Sequence, residues 1–467
     1  MTDSAVAESC RLTVRAPSVT IDLAVPADVP VADLLPTLLR YVGEEAEEAG
    51  LDHAGWVLQR LGDAPLDEET TLAQAGLSDG AVLHLRPHTE ALPEARLDDL
   101  VDGIAETVGR RLHTWSAAAA RGLLVGTAVA TVVAALVLVF RPGVADSTVR
   151  AACAAIAGVL LLAGAGSASR AVGDRLSATA LGLLVAPCFA LVGWVLPGGD
   201  LTGPDAAEVA GARLLAAGAA AAGGAVLALA ATAVGAPALL ATAVVAVATA
   251  VSGALMGYTG LDVPAAVALV ATIVALAAGA VAPFAFKLAG MRMPSLPSSA
   301  GQLQEGIDPY AGDEVAERTE LAGRWVTALF AATGTIAAAA LAVLAHTPDL
   351  PETLTALSLA LLLLLHSRGL VHIGQRLTLA VPGIWGLLLL ARAWAVDSDA
   401  DGRVVVFAVL LAVAAALVTA SWIVPGRRVL PYWGRAAELA HTGLAVALLP
   451  LTLWVAGLFG WLRGLFG

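Results

Sequence analysis

Few residues in this chain could do chemistry, and their spacing argues against it. Cys10, Cys153 and Cys188 are far apart and two lie in apolar runs, so they encode neither a disulfide framework nor a metal knot. His346 and His366 cap apolar segments without a metal-ligating neighbour at useful spacing. A proton- or ion-coupled carrier keeps ionisable groups near the bilayer midplane, facing a cavity. Here Asp146, Asp174, Asp200, Asp262 and Asp349 all fall at segment ends. Arg213 lies near a helix start, and Arg392 is one turn from the end of its segment, where a long side chain snorkels to the headgroups. Walker A and HExxH motifs are missing, and Ser and Thr are too scattered for a polar pore stripe. The reading is of a chain without catalytic, cofactor or metal site. A secondary transporter or channel for small solutes is the alternative, and it would need an acid at mid-bilayer.

The elements that would position such residues are mostly made for lipid. The chain is 58% hydrophobic and only 14% charged, where soluble domains hold about a quarter, and its mean hydropathy is +0.81. Only a helical membrane protein fits that balance comfortably. Residues 1–114 hold 21 acids against 8 arginines, a net of −13, while the rest holds 18 of each sign. An acidic cap disfavours nucleic acid and anionic headgroups as partners and favours a basic protein, or simply solubility. The start, MTDSAVAESCRLTV, has no charged stretch leading into an apolar one, so no signal peptide is expected and the cap is predicted to stay in the cytosol.

Residues 1–90 read as a small α+β domain. CRLTVRAPSVTIDLAV (10–25) is two strands around Ala16-Pro17-Ser18. Val31, Leu34, Leu35, Leu38, Leu39 and Val42 recur at helical spacing. GWVLQRL (55–61) is a strand, and TLAQAGLSDGAVLHLRP (71–87) a turn followed by a closing strand. That order is the order of a ubiquitin-like β-grasp fold, here a docking module; the chain runs on past Pro87, which excludes conjugation. Residues 91–120 form an amphipathic linker, with Leu97, Leu100, Val101, Ile104, Val108 and Leu112 on one face. A place among the headgroups and packing on a partner both fit it.

Residues 121–467 form the transmembrane domain. A span takes roughly 20 apolar residues, and eleven segments qualify: 121–140, 149–166, 176–196, 210–234, 237–257, 264–286, 325–345, 350–366, 376–396, 403–424 and 436–460. With the cap inside, the cytosolic connections carry eleven basic residues and the opposite ones three, Arg141, Arg150 and Arg403. That bias predicts a cytosolic N-terminus and a periplasmic C-terminus. The long connection 287–324 is broken by Pro294, Pro297 and Pro309, then turns helical with Glu314/Arg318 and Glu320/Arg324 at i,i+4. Its length favours contact with a partner. Arg292, Leu296, Arg318 and Arg324, with Leu97, Leu100 and Ile104 of the linker, are the candidate partner-contact residues. Gly253 and Gly257 form a GxxxG helix-packing motif, read chiefly as packing within the subunit.

Over nearly the whole chain the sequence resembles EccD, the multi-spanning component of type VII (ESX) secretion systems. The resemblance is carried by CRLTVRAP (10–17), the stretch Ile21–Glu44, GWVLQRLG (55–62), TLAQAGLSDGAVLHLRP, ALPEARLDDLVDGIA (91–105), MRMPSLPSSAGQLQEGID (291–308) with VAERTELAG (315–323), and LPYWGRAAELAH (430–441). It implies a structural subunit of an inner-membrane complex, with EccB, EccE, the motor ATPase EccC and a second copy of itself as partners. It further implies a lipid-filled vestibule enclosed by the pair, cytosolic domains that brace the ATPase, and small helical WXG100 and PE/PPE-type proteins as exported substrates.

Overall fold

The structure, a computed structural model, describes residues 9–42, 55–88, 116–291, 312–423 and 431–466, apart from 18, 62, 78, 142 and 348. The chain divides into two compact units, Met1–Ser116 and Ala117–Gly467.

In the first unit, β1 (Ser9–Arg15) and β2 (Thr20–Pro26) pair antiparallel, with Arg15 opposite Thr20. Helix α1 (Val31–Val42) follows, then β3 (Trp56–Gln59) and β4 (Ala81–Pro87). The sheet order is β2-β1-β4-β3, with β4 parallel to β1 and antiparallel to β3. Strand alternation decides the core. Cys10, Leu12 and Val14 of β1 and Leu83 and Leu85 of β4 share the face that packs on Val31, Leu35 and Leu38 of α1. Fully burying one such leucine stabilises by about 1.5–3 kcal/mol. The turn before β4 is fixed by Gly80, at φ +85°, a left-handed conformation that glycine adopts without Cβ strain. Gly80 N–H donates to Arg11 O at 2.8 Å, and Arg11 N–H to Asp79 Oδ1 at 2.8 Å. Burial, then the Asp79 charge, pushes the Cys10 thiol above its ordinary range.

The second unit is helical. Its first helices are α2 (Ala117–Val139), α3 (Ser147–Ser167), α4 (Arg175–Val195), α5 (Ala206–Thr232), α6 (Ala236–Thr259), α7 (Val263–Ala277) and α8 (Val281–Leu288). Then come α9 (Gly312–Leu344), α10 (Leu350–Ser367), α11 (Ile373–Asp397), α12 (Ala400–Ile423), α13 (Pro431–Val455) and α14 (Leu458–Phe466). Among the described residues eleven stretches are long and apolar enough to cross a membrane, α7 and α8 forming one of them.

Two boundaries differ from the sequence segmentation for local reasons. The last segment, read to residue 460, is interrupted at Gly457, whose φ of +73° ends the run and starts the short α14. The connection 287–324 and the seventh segment are not separate at their junction, because α9 is one helix of 33 residues. At 1.5 Å per residue it is about 50 Å long, well over a hydrocarbon core of about 30 Å.

Polar residues in this unit satisfy the backbone. Asp174 accepts from the amides of Leu176 and Ser177 at the start of α4, and Asp262 from Ala265 at the start of α7. The end of α5 is closed by Ser169 Oγ, donating to Thr232 O at 2.5 Å, and by Arg170, whose Nε and Nη2 donate to Ala231 O and Ala230 O. These are carbonyls that a helix end leaves unpaired. Arg213 donates to Gly198 O and Gly199 O and lies 5.7 Å from the Trp194 ring centroid, fastening α5 to the loop before it. At the bundle surface, α2 has no buried residue and α12 only Val406.

Candidate functional site

A cavity of 1350 Å³ in the helical unit lies between the start of α6, the middle of α9 and the start of α11. Small residues build its walls. Ala238 and Ala241 of α6 face Ala328, Ala331 and Ala332 of α9, with Thr242 and Thr335 among them. Its other polar groups are Glu320 and Arg324, joined at 2.6 Å, together with Thr319, Thr327, His372 and Gln375. Gln375 is 7% exposed, and its Nε2 donates at 3.4 Å to Gly323 O. Such a cavity, apolar with a few convergent polar groups, has the make-up of a binding site for a largely apolar ligand.

Of the residues singled out from sequence, Arg324 lines this cavity. Arg318 does not. Its guanidinium pairs with Glu314 and donates to Gly290 O at 3.0 Å, tying α9 to the end of α8. Arg292, Leu296, Leu97, Leu100 and Ile104 lie outside the described residues. The two glycines separate. A Cβ at Gly253 would overlap the Leu215 amide nitrogen and lie 2.6 Å from Gly211 O, so α5 and α6 touch backbone to backbone there. Gly257, one turn on, meets nothing within 4 Å. Gly218 makes the same kind of close approach to Ala246 and Ala250, two turns further along α5.

Sequence spacing missed one pair altogether. His366 of α10 has Nδ1 3.3 Å from His441 Nε2 of α13, with the Phe330 ring edge-on at 5.5 Å. The two histidines are 75 residues apart, so only the packing of α10 on α13 brings them together. They have no third ligand: no group of three or more His, Cys, Asp or Glu suited to a metal occurs among the described residues. Thr272 of α7 and Thr452 of α13 likewise meet at 2.7 Å. Other buried hydroxyls return to their own helix, as Ser252 does to Ala248 O and Thr333 to Leu329 O. Arg392 is exposed.

A β-grasp unit followed, among the described residues, by eleven stretches long and apolar enough to cross a membrane defines a multi-spanning membrane protein with a small N-terminal α+β domain. The family described as EccD-like transmembrane domain matches residues 119–465, and that of the WXG100 secretion protein YukD matches residues 9–85. The chain is 30% identical over 472 residues to the ESX-4 secretion system protein eccD4 of Mycobacterium tuberculosis, in strains CDC 1551 and H37Rv alike, covering 97% of both chains. It belongs to the EccD family. Two solved structures share the fold. One is protomer 1 of the ESX-3 core complex, with TM-score 0.56 and 18% identity, covering 97% of this chain and 100% of that one. The other is the MycP5-free ESX-5 inner membrane complex in State II, with TM-score 0.57 and 20% identity, covering 88% and 99%.

Proposed function

We propose that this chain is a non-enzymatic structural subunit of the inner-membrane core complex of a type VII (ESX) secretion system. The single observation that carries the reading is the match to eccD4 along 97% of both chains. In this reading two copies pair around a lipid-filled vestibule, and EccB and EccE complete the membrane assembly. The first unit stays in the cytosol and docks the motor ATPase EccC, which supplies the free energy for export of WXG100 and PE/PPE-type substrates. The orientation follows from the excess of basic residues on the connections expected to be cytosolic. Removing residues 1–90 separates the roles. The shortened chain still inserts and still assembles with its membrane partners, while EccC in the purified complex drops sharply. An undiminished amount of EccC would contradict the docking role.

A further inference from the structure

The first unit is strongly acidic, yet one face of its sheet is not. The residues of β1, β2 and β4 that alternate with the core residues point to the outer side. They are Arg11, Thr13 and Arg15, then Thr20, Asp22 and Ala24, then Val82, His84 and Arg86. The described residues of this unit include five arginines and eight carboxylates. Three of the five arginines, and Asp22 alone of the carboxylates, belong to this face. Asp22 accepts from Thr13 Oγ1 at 2.6 Å. Asp79, at the rim, accepts from the Arg11 amide, not from its guanidinium.

Pairing in register sets the spacing of the charges. Arg15 lies opposite His84 on the neighbouring strand, about 4.8 Å away between strands. Arg86 follows two residues along β4, and Arg11 lies four residues back along β1, about 13 Å away. Among the described residues none of Arg11, Arg15 or Arg86 makes an ion pair, whereas Arg60 pairs with Asp63 at 3.7 Å. Between the arginines lie Thr13 and Val82, the latter 37% exposed. A small uncharged centre bordered by guanidinium groups is the anatomy of a protein interface, where arginine is enriched and its planar fork grips carboxylates in pairs.

We propose that this outer sheet face, with Arg11, Arg15, His84 and Arg86 around Val82, docks an acidic surface of a cytosolic protein partner. The inference rests on the docking role proposed above and names the face and the chemistry that would carry it. Anionic membrane and nucleic acid also attract arginine, but residues 1–114 carry a net charge of −13. That field repels an extended polyanion while tolerating a local acidic patch.

The test uses the full-length chain in its native assembly, purified in mild detergent at about 0.15 M salt, with the amount of bound motor ATPase as readout. R11E/R15E/R86E is expected to lower ATPase occupancy by at least about tenfold and to remove its salt dependence, while R11K/R15K/R86K stays within about threefold of the parent. The control D67K/E68K/E69K, on a loop away from this face, retains the ATPase. Amide exchange across β1 and β4 reports whether the reversed sheet is still folded. If it is not, the single reversals R11E, R15E and R86E, each expected to lower occupancy by about threefold, decide the matter. Undiminished occupancy in the charge-reversed chain overturns the proposal. When deletion of residues 1–90 nevertheless releases the ATPase, docking stands and the face is wrong; when deletion also retains it, the docking role itself falls. A reversal that abolishes binding to phosphatidylglycerol vesicles or to a single-stranded oligonucleotide, with the ATPase retained, assigns the face to membrane or nucleic acid and likewise overturns it.

Discussion

At the scale of single residues, the membrane unit turns on side chains that are missing or used locally. Gly253 and Gly257 are identical in sequence terms and opposite in consequence. Any side chain at Gly253 drives into the backbone of α5, and overpacking of this kind costs about 1–3 kcal/mol. G253L should therefore unfold at a clearly lower temperature in detergent, while G257L, entering open space, should melt like the parent; equal melting temperatures would refute the backbone contact. Asp174 makes a second prediction. The hydroxyl of Ser177, then the backbone amides, hold its carboxyl below the usual carboxylate range. Its stabilising effect is thus present above the unfolded value of about 3.9 and is lost as pH falls through the lower folded value. D174N should flatten the acid limb of a stability-against-pH curve, and an unchanged limb would show that the cap contributes nothing there.

At the scale of elements, much was legible in the sequence because period and punctuation are local. Alternation over residues 10–25 and 81–87 and the helical spacing of 31–42 reflect the two sides of one core. The number of spans likewise follows from the length of the apolar runs. What was not legible depends on long-range packing. Nothing around Ala238 or Ala331 announces a cavity, since small residues mark close packing and open space alike. His366 carries no sign of His441, and the role of Arg318 depends on the carbonyl of Gly290 twenty-eight residues away. The Gly457 break was visible only as a glycine in an apolar run. Thr272 and Thr452 are a testable case of such a long-range joint between α7 and α13. Hydrogen bonds between membrane helices couple by about 0.6 kcal/mol on average. T272V and T452V singly should each destabilise, and the double variant should cost less than their sum by about that amount. Strict additivity in reversible unfolding from mixed micelles would mean that the two hydroxyls do not support one another.

At the scale of the whole molecule, the chain belongs to the EccD family and, on the function proposed above, is one part of a larger assembly. Buried hydroxyls such as those of Thr232, Ser252 and Thr333 return to helix carbonyls, and α2 and α12 present apolar surface nearly all round, which lipid or neighbouring subunits would cover. The first unit carries the chain's net charge and, on the proposal above, one basic face with which to hold a partner. The most direct measurement is purification of the tagged, full-length chain from its own membranes in mild detergent, with mass and composition determined and the isolated subunit tested for solute flux in proteoliposomes. The account predicts a large assembly with more than one copy of this chain, further membrane subunits and an ATPase, and no flux by the chain alone. A lone protein that moves a solute across the vesicle membrane would contradict it.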